Sequence, residues 1–406
     1  MISRYAGVSP KGDLILLKRL GDKMGGKSFL HVNSTKAGGG VAEILHRMMP
    51  ILQGLGIRAR WEVIEGDEQF FDITKKIHNA LQGNREIITK KMWQHHFDVN
   101  EKNMATIQLD EVDAALIHDP QPAPLIEFKK SGKWIWRCHI DVSNPMKEVR
   151  DHLFQYCKKY DAAVFSVARF AKAMGIDEFI IPPSIDPLSD KNRDLTEEEV
   201  RETAEKLSLP LDRPIILQVS RFDRFKDPTG VIEAYRMVKR YNDCVLVLAG
   251  SPATDDPEGA AVLALVKEFA SSDPDIHILL LPPFSDTDIN ALQRMATVVL
   301  QKSLKEGFGL TVTEAMWKGK PVIGGAVGGI PLQVIHGVTG FLVHSVEGAA
   351  FRIRQFLNNP EMAKRMGERG KEHIRQHFLI TRQIRDYLSI WYTLERGEDG
   401  TSGLSI

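Results

Sequence analysis

At 406 residues the chain exceeds what one hydrophobic core usually supports, so two domains are the first expectation. Its 43% hydrophobic and 26% charged residues, with ordinary glycine and proline, exclude extended disorder except at the ends. Lys plus Arg balance Asp plus Glu at 53 each, which excludes an overall field that would hold nucleic acid or an anionic membrane.

In chain order, short apolar runs sit beside amphipathic stretches, the pattern of strands alternating with helices around a parallel sheet. Strands are predicted at Phe29–Asn33, Arg58–Ile64, Val112–Ile117, Trp134–Cys138, Ala162–Ser166 and Phe179–Ile181. Helical patterns lie between them at Val41–Leu52, Asp72–Leu81, Ile87–Phe97 and Lys147–Lys159. The rhythm breaks at Pro182-Pro183-Ser184-Ile185-Asp186-Pro187, and a polar segment follows through Glu199, with a helix predicted at Glu197–Lys206. A second alternation places strands at Ile215–Val219, Cys244–Ala249, Ile276–Leu280, Val298–Gln301, Pro321–Ile323 and Gly340–Val343. Helices then run over Glu347–Asn358, Pro360–Gln376 and Thr381–Glu395, before the Gly/Ser-rich tail Gly397–Gly403. The expected fold class is α/β, with two Rossmann-like parallel sheets in domains 1–186 and 187–377. The final segment, about 378–406, is free to pack back on the first domain.

Cys138, Cys157 and Cys244 form no CxxC pair and leave an odd count, which points to a reducing compartment and a cytoplasmic location. Arg4, Lys11 and Asp13 precede the short apolar run Leu14–Leu17, and no uncharged apolar stretch reaches membrane-spanning length, so neither a signal peptide nor a span is expected.

The most specific segment is Glu306-Gly307-Phe308-Gly309-Leu310-Thr311-Val312-Thr313-Glu314, followed by Gly319-Lys320-Pro321-Val322-Ile323. It leaves a predicted strand and opens a predicted helix, where glycines let backbone N–H groups approach a ligand at a positively polarised helix end. The Gly-Phe-Gly interval makes Glu306 a loop residue and Glu314 a helical one, so one acid can address a sugar and the other a nucleotide. The residues alone leave open a plain helix N-terminus with two solvated acids.

This segment resembles the Glu-(seven residues)-Glu motif of retaining glycosyltransferases of family 4, which have two facing Rossmann-like domains, the GT-B architecture. The resemblance continues through Gly328-Gly329-Ile330-Pro331, Gly337-Val338-Thr339-Gly340-Phe341-Leu342-Val343 and Ile185-Asp186, and covers nearly the whole chain. It implies Glu314 on the ribose hydroxyls, Glu306 beside the donor sugar, and the backbone of Phe308, Gly309 and Leu310 on sugar hydroxyls and phosphate. In Ser220-Arg221-Phe222-Asp223-Arg224-Phe225-Lys226-Asp227, the spacing of Arg221 and Lys226 matches the family's cationic pair, while Asp227 stands where glycine is common. Fixed cations there would stabilise the charge that gathers on a departing diphosphate. Without the resemblance, this is equally a charged strand-to-helix loop.

The turn Lys36-Ala37-Gly38-Gly39-Gly40-Val41 lacks the glycine spacing of a dehydrogenase fingerprint. The resemblance gives Gly39 and Gly40 a place at donor phosphate and acceptor. Two polar clusters end strands of the first domain, His118-Asp119-Pro120-Gln121-Pro122 and His139-Ile140-Asp141, where open α/β sheets bind ligands. A histidine at a strand end is also a common structural group. The stretch Trp134-Ile135-Trp136-Arg137-Cys138-His139-Ile140-Asp141 resembles the trehalose glycosyltransferring synthases, which join nucleotide-activated glucose to glucose. That resemblance implies His139 on the donor sugar, with Asp119, Gln121 and Asp141 seating the acceptor.

No histidine or cysteine set has zinc spacing, and His95-His96 reads as a surface or packing pair. No obligatory cofactor or metal is expected, and magnesium would act only through the diphosphate. The expected partners are UDP- or ADP-glucose and free glucose, with no nucleic acid and no membrane, and the resemblance implies a homodimer. The rival readings are another family-4 transferase with a different acceptor, a GT-B phosphorylase or epimerase, and a non-catalytic nucleotide-sugar binder.

Overall fold

The computed structural model describes residues 2–36, 39–250, 257–271 and 273–397. Ala37 and Gly38 of the glycine-rich turn, and the predicted tail beyond Gly397, lie outside the described residues. The chain divides into two units, one comprising residues up to Ser184 together with those from Ile380 onward, the other Ile185–Leu379.

In the first unit the helix α1 (Lys11–Met24) precedes β1 (Ser28–Asn33), α2 (Gly39–Gly54), β2 (Arg58–Val63), α3 (Glu68–Leu81) and α4 (Lys90–Thr106). There follow β3 (Ala114–His118), β4 (Lys133–Cys138), α5 (Lys147–Cys157), β5 (Ala162–Phe165) and β6 (Asp177–Ile180). All six strands pair in parallel in the order β2-β1-β3-β4-β5-β6. Side chains alternate across the sheet. Leu30, Val32, Trp134 and Trp136 therefore enter a core shared with Phe70, Ile77, Leu153 and Phe154 of α3 and α5.

The second unit begins with α6 (Glu197–Lys206), started by a capping box in which Thr196 and Glu199 satisfy each other's backbone N–H groups. It continues through β7 (Ile215–Val219), α7 (Pro228–Lys239), β8 (Val245–Gly250), α8 (Pro257–Ala270), β9 (Ile276–Leu280), α9 (Asp286–Met295) and β10 (Val298–Gln301). It closes with α10 (Leu310–Trp317), β11 (Val322–Gly325), α11 (Ile330–Gln333), β12 (Gly340–Val343), α12 (Val346–Asn358) and α13 (Pro360–His377). The parallel order is β12-β11-β10-β7-β8-β9, so consecutive strands run outward from β7 and then outward again from β10. Such an order reverses between β7 and β10, and open sheets bind ligands at the carboxyl ends of the strands flanking that reversal.

The last described helix, α14 (Ile380–Arg396), belongs to the first unit. It packs against α1 and α2, with Trp391 against Phe29 at a centroid distance of 5.0 Å and Ser9 Oγ bonded to Thr381 Oγ1 at 2.9 Å. α1 contains the short apolar run Leu14–Leu17. Its buried Leu17, Leu20, Gly21 and Met24 recur at helical spacing. No described helix is long and apolar enough to cross a membrane, and all three cysteines are free and buried.

Candidate functional site

The loops after β7 and β10 converge at the reversal point of the second sheet. Asp223 Oδ1 accepts the Phe225 N–H at 2.7 Å and closes a single tight turn over Arg224–Lys226. Gln218 of β7 then donates through Nε2 to the Lys226 carbonyl at 2.8 Å, pinning the residue to the strand below. From this position Lys226 Nζ donates to Glu306 Oε2 at 2.6 Å, and Ser303 Oγ donates to the same oxygen at 3.2 Å. Lys226 and Glu306 are 18% and 9% exposed, so their attraction is little screened and neither is locked away from a ligand. An ammonium has three N–H donors, and this pair uses one. Arg221 differs. Its side chain is 64% exposed, and its guanidinium lies 3.0 Å from Asp223 Oδ2.

Asp227 adopts the left-handed conformation, φ 53°, which aspartate tolerates better than most residues. Its carboxylate accepts the Gly230 N–H at 3.2 Å, capping α7, and pairs with Lys302. A glycine would match the backbone here and lack the cap.

Gly309, φ 84°, stands at the start of α10, where no side chain caps the first turn and the Val312 N–H turns back to the Gly309 carbonyl at 3.0 Å, leaving the Leu310 and Thr311 N–H groups for a ligand. Leu310 opens that helix. Phe308 is buried, and its carbonyl accepts from Gln333 Nε2 at 2.6 Å. Gly328 holds φ 58° directly under the loop, and a β-carbon there would lie 1.8 Å from the Glu306 carbonyl oxygen. Glu314 is buried in α10. Its Oε2 accepts from Gln293 Nε2 at 3.3 Å, and its Oε1 lies 4.0 Å from Lys191 Nζ, which reaches Asp286 at 3.6 Å. Gly307, Phe308 and Gly309 thus separate a loop acid paired with a lysine from a helix acid held beside another.

In the first unit the polar residues gather at the carboxyl ends of β1, β3 and β4, beside that sheet's own reversal between β1 and β3. Gly39 and Gly40 open α2, Gly39 with φ 77°. His139 follows β4, and its Nε2 lies 3.0 Å from His118 Nδ1, while His118 Nε2 lies 3.1 Å from His31 Nδ1. Burial pushes all three imidazoles to lower pKa, His31 to about 3, with the Arg137 cation adding to the effect at His118 and His139. Arg137 is fully buried, donating from Nη2 to Ser166 Oγ at 3.1 Å and to the Ile181 carbonyl at 2.8 Å.

Asp119 follows β3 with φ 66°, and its Oδ1 accepts the His139 backbone N–H at 2.7 Å. Burial raises its pKa to about 7, against the opposing pull of that hydrogen bond and of Arg137. Asp141 accepts the Ser143 N–H at 2.9 Å and lies 3.6 Å from Arg169. Gln121 offers its carbonyl to His96 Nε2 and Asn100 Nδ2, both at 3.0 Å. His96 is accordingly a buried packing residue, while His95 pairs with Asp67 nearer the surface at 2.9 Å. Among the described residues no group of three or more His, Cys, Asp or Glu is arranged to hold a metal ion.

The structure brings Lys226 and Glu306 together, sets Glu314 in the helix that follows, and joins His139 to Asp119. Sequence reasoning missed Lys191, Gln293 and Ser303, which sit in polar stretches without a motif. It also missed His31, whose only signal was a histidine inside an otherwise apolar strand.

Residues 199–373 match the family described as "Glycosyl transferases group 1". The fold is that of a solved alpha,alpha-trehalose-phosphate synthase (UDP-forming) from Burkholderia xenovorans, at TM-score 0.73 and 13% identity, covering 91% of this chain and 100% of that one. The protein is thus a glycosyltransferase of the GT-B fold. Residues 31–172 match "Trehalose synthase, N-terminal domain". The chain is 47% identical over 380 residues to the trehalose synthase of Thermococcus litoralis, covering 92% of each. It is 45% identical over 397 residues to that of Pyrococcus horikoshii, covering 96% of this chain and 95% of the relative. This chain belongs to the trehalose synthase family.

Proposed function

We propose that the protein is a retaining glucosyltransferase that joins nucleotide-activated glucose, UDP- or ADP-glucose, to free glucose and forms α,α-trehalose, reversibly. The observation that carries the reading is the cluster at the reversal point of the second sheet, where Lys226, Glu306 and the uncapped start of α10 meet. A departing nucleotide diphosphate needs cations and amide N–H groups fixed in advance. Lys226, with two N–H groups beyond the one given to Glu306, and the exposed Arg221 supply the cations. The backbone of Phe308, Gly309 and Leu310 supplies amides, and Glu314 takes the ribose hydroxyls.

His139, Gly39 and Gly40 are assigned to the donor, while Asp119, Gln121 and Asp141 seat the acceptor. Glu306, already bonded to Lys226 and Ser303, is a poor covalent nucleophile. The retained configuration is therefore assigned to attack on the face the diphosphate leaves, with the phosphate taking the acceptor's proton. The proposed reaction includes no obligatory cofactor, and magnesium would enter with the diphosphate.

The test is incubation of the purified protein with UDP-glucose or ADP-glucose, with and without glucose, following nucleotide release and the disaccharide by NMR. Glucose-dependent release with an α,α-linked non-reducing product is the expected result. Donor binding without glucose-dependent release would overturn the acceptor assignment and leave the donor site standing. Dependence on inorganic phosphate would replace the reading with a phosphorylase.

A further inference from the structure

The sheet of the first unit carries a diagonal of histidines that the reaction outlined above does not use in full. In the strand register His31 of β1 lies opposite Leu116, two residues before His118 of β3, and His118 lies opposite Arg137, two residues before His139. Each step crosses one strand and climbs two residues, which keeps all three side chains on one face of the sheet. The rings stack at centroid distances of 5.4 and 5.3 Å and interplanar angles of 24° and 13°. Two ring-to-ring contacts, 3.1 and 3.0 Å, join Nδ1 of one ring to Nε2 of the next.

A neutral imidazole has one N–H donor and one bare acceptor nitrogen. Both contacts are satisfied only when the three rings share a tautomer. With the protons on Nε2, the row ends at His31 in a buried N–H that has no partner, and a buried donor left unpaired costs about 1–3 kcal/mol. With the protons on Nδ1, the same buried atom is a bare nitrogen and the row ends at His139 in an outward Nδ1–H. His139 Nδ1 has no protein partner among the described residues. His118 and His139 line a small crevice with Val41 and Ile44 of α2 and Gln383 and Tyr387 of α14. The lowered pKa of each ring keeps the row neutral, which the tautomer argument requires.

We propose that His118 and His31 are positioning residues that fix His139 in its Nδ1–H tautomer, so that it presents a hydrogen-bond donor to a sugar hydroxyl. The functional half of this inference rests on the assignment of His139 to the donor sugar. The tautomer half does not depend on that assignment: it rests on the ring contacts and the buried His31 nitrogen, with burial keeping the rings neutral. His31 anchors the row because it is fully buried against Phe29 and faces Tyr387 of α14. His118 transmits its orientation, and His139 is the one of the three residues that is not fully buried.

The test is long-range proton–nitrogen NMR on full-length protein labelled with nitrogen-15 histidine, with rings assigned from His31→Phe, His118→Phe and His139→Phe variants. In the wild type all three rings should show the proton on Nδ1. In His118→Phe, which keeps an aromatic ring and removes both contacts, His139 should become a mixture of tautomers. The kcat of that variant should fall about tenfold with the acceptor KM little changed. His118→Gln, which can still donate and accept, should recover part of the loss. A proton on Nε2 of His139 in the wild type overturns the proposal without need of any variant, as does an unchanged tautomer in His118→Phe. Full turnover in His139→Phe would instead sink the sugar contact on which the functional half rests.

Discussion

At the scale of single residues, the proposed donor cluster makes distinct predictions for its charges. Arg221→Ala and Lys226→Ala should each lower kcat about 10²–10³-fold, as loss of a charge-stabilising donor does. Lys226→Ala should also lower the melting temperature, because it leaves Glu306, 9% exposed, without its cationic partner and with only the Ser303 hydroxyl. Arg221→Ala, at an exposed position, should not. Glu314→Ala should mainly raise the KM for the nucleotide sugar. Wild-type kinetics in all three would remove the site assignment.

Asp119 adds a pH signature. Its folded pKa, about 7, lies above that of the unfolded chain, so between about pH 4 and 7 the folded state holds the proton more tightly. Its contribution to stability is full below that window and declines as pH rises through it. The buried histidines act oppositely, their contribution being present above the ordinary histidine range and lost as pH falls toward about 3 for His31. Asp119→Asn should therefore gain stability relative to wild type at pH 8, and the gain should vanish near pH 4, as measured by urea unfolding. A gap that does not change with pH would show that the carboxyl is not held up by burial.

Much of the candidate site in the second unit was legible because Glu306, Glu314, Arg221 and Lys226 fall in two compact segments. Lys191 and Gln293 were not, since they reach Glu314 from elements far apart in the chain and carry no local pattern.

At the scale of elements, the alternating apolar runs located the strands because a parallel strand covered on both faces reads as a continuous apolar stretch. The helix α1 escaped because its buried face is only partly apolar, with Gly21 and Asp13 interleaved among leucines and Arg19, Asp22 and Lys23 on the outside. The tight fit between the Glu306 loop and the start of α11 was also invisible, being a steric relation between segments. It is testable through Gly328→Ala. With φ 58° and a β-carbon 1.8 Å from the Glu306 carbonyl oxygen, the substitution must push the loop aside. We expect a stability loss of about 2 kcal/mol or more and a clear fall in kcat. An unchanged melting temperature and kcat would show that the loop moves freely.

At the scale of the whole molecule, the first unit is discontinuous in sequence. α14 brings Ile380, Ile384, Leu388 and Trp391 into burial there, each contributing about 1.5–3 kcal/mol on full burial. Their sum is comparable to the net stability of an ordinary domain, about 5–15 kcal/mol. A chain ending at Leu379 should therefore keep its second unit and lose cooperative unfolding of the first, seen by calorimetry and by hydrogen exchange in β1 and β3. Normal protection of those strands would show that α14 is dispensable.

That discontinuity also dictates an order of events on the ribosome. Residues 185–379 form an uninterrupted unit that can close as soon as it has emerged. The other unit must wait for α14, the helix that packs on Phe29 and faces His31. Until that helix arrives, the part of the first unit already synthesised keeps an apolar surface open, and there a chaperone would find a long-lived target.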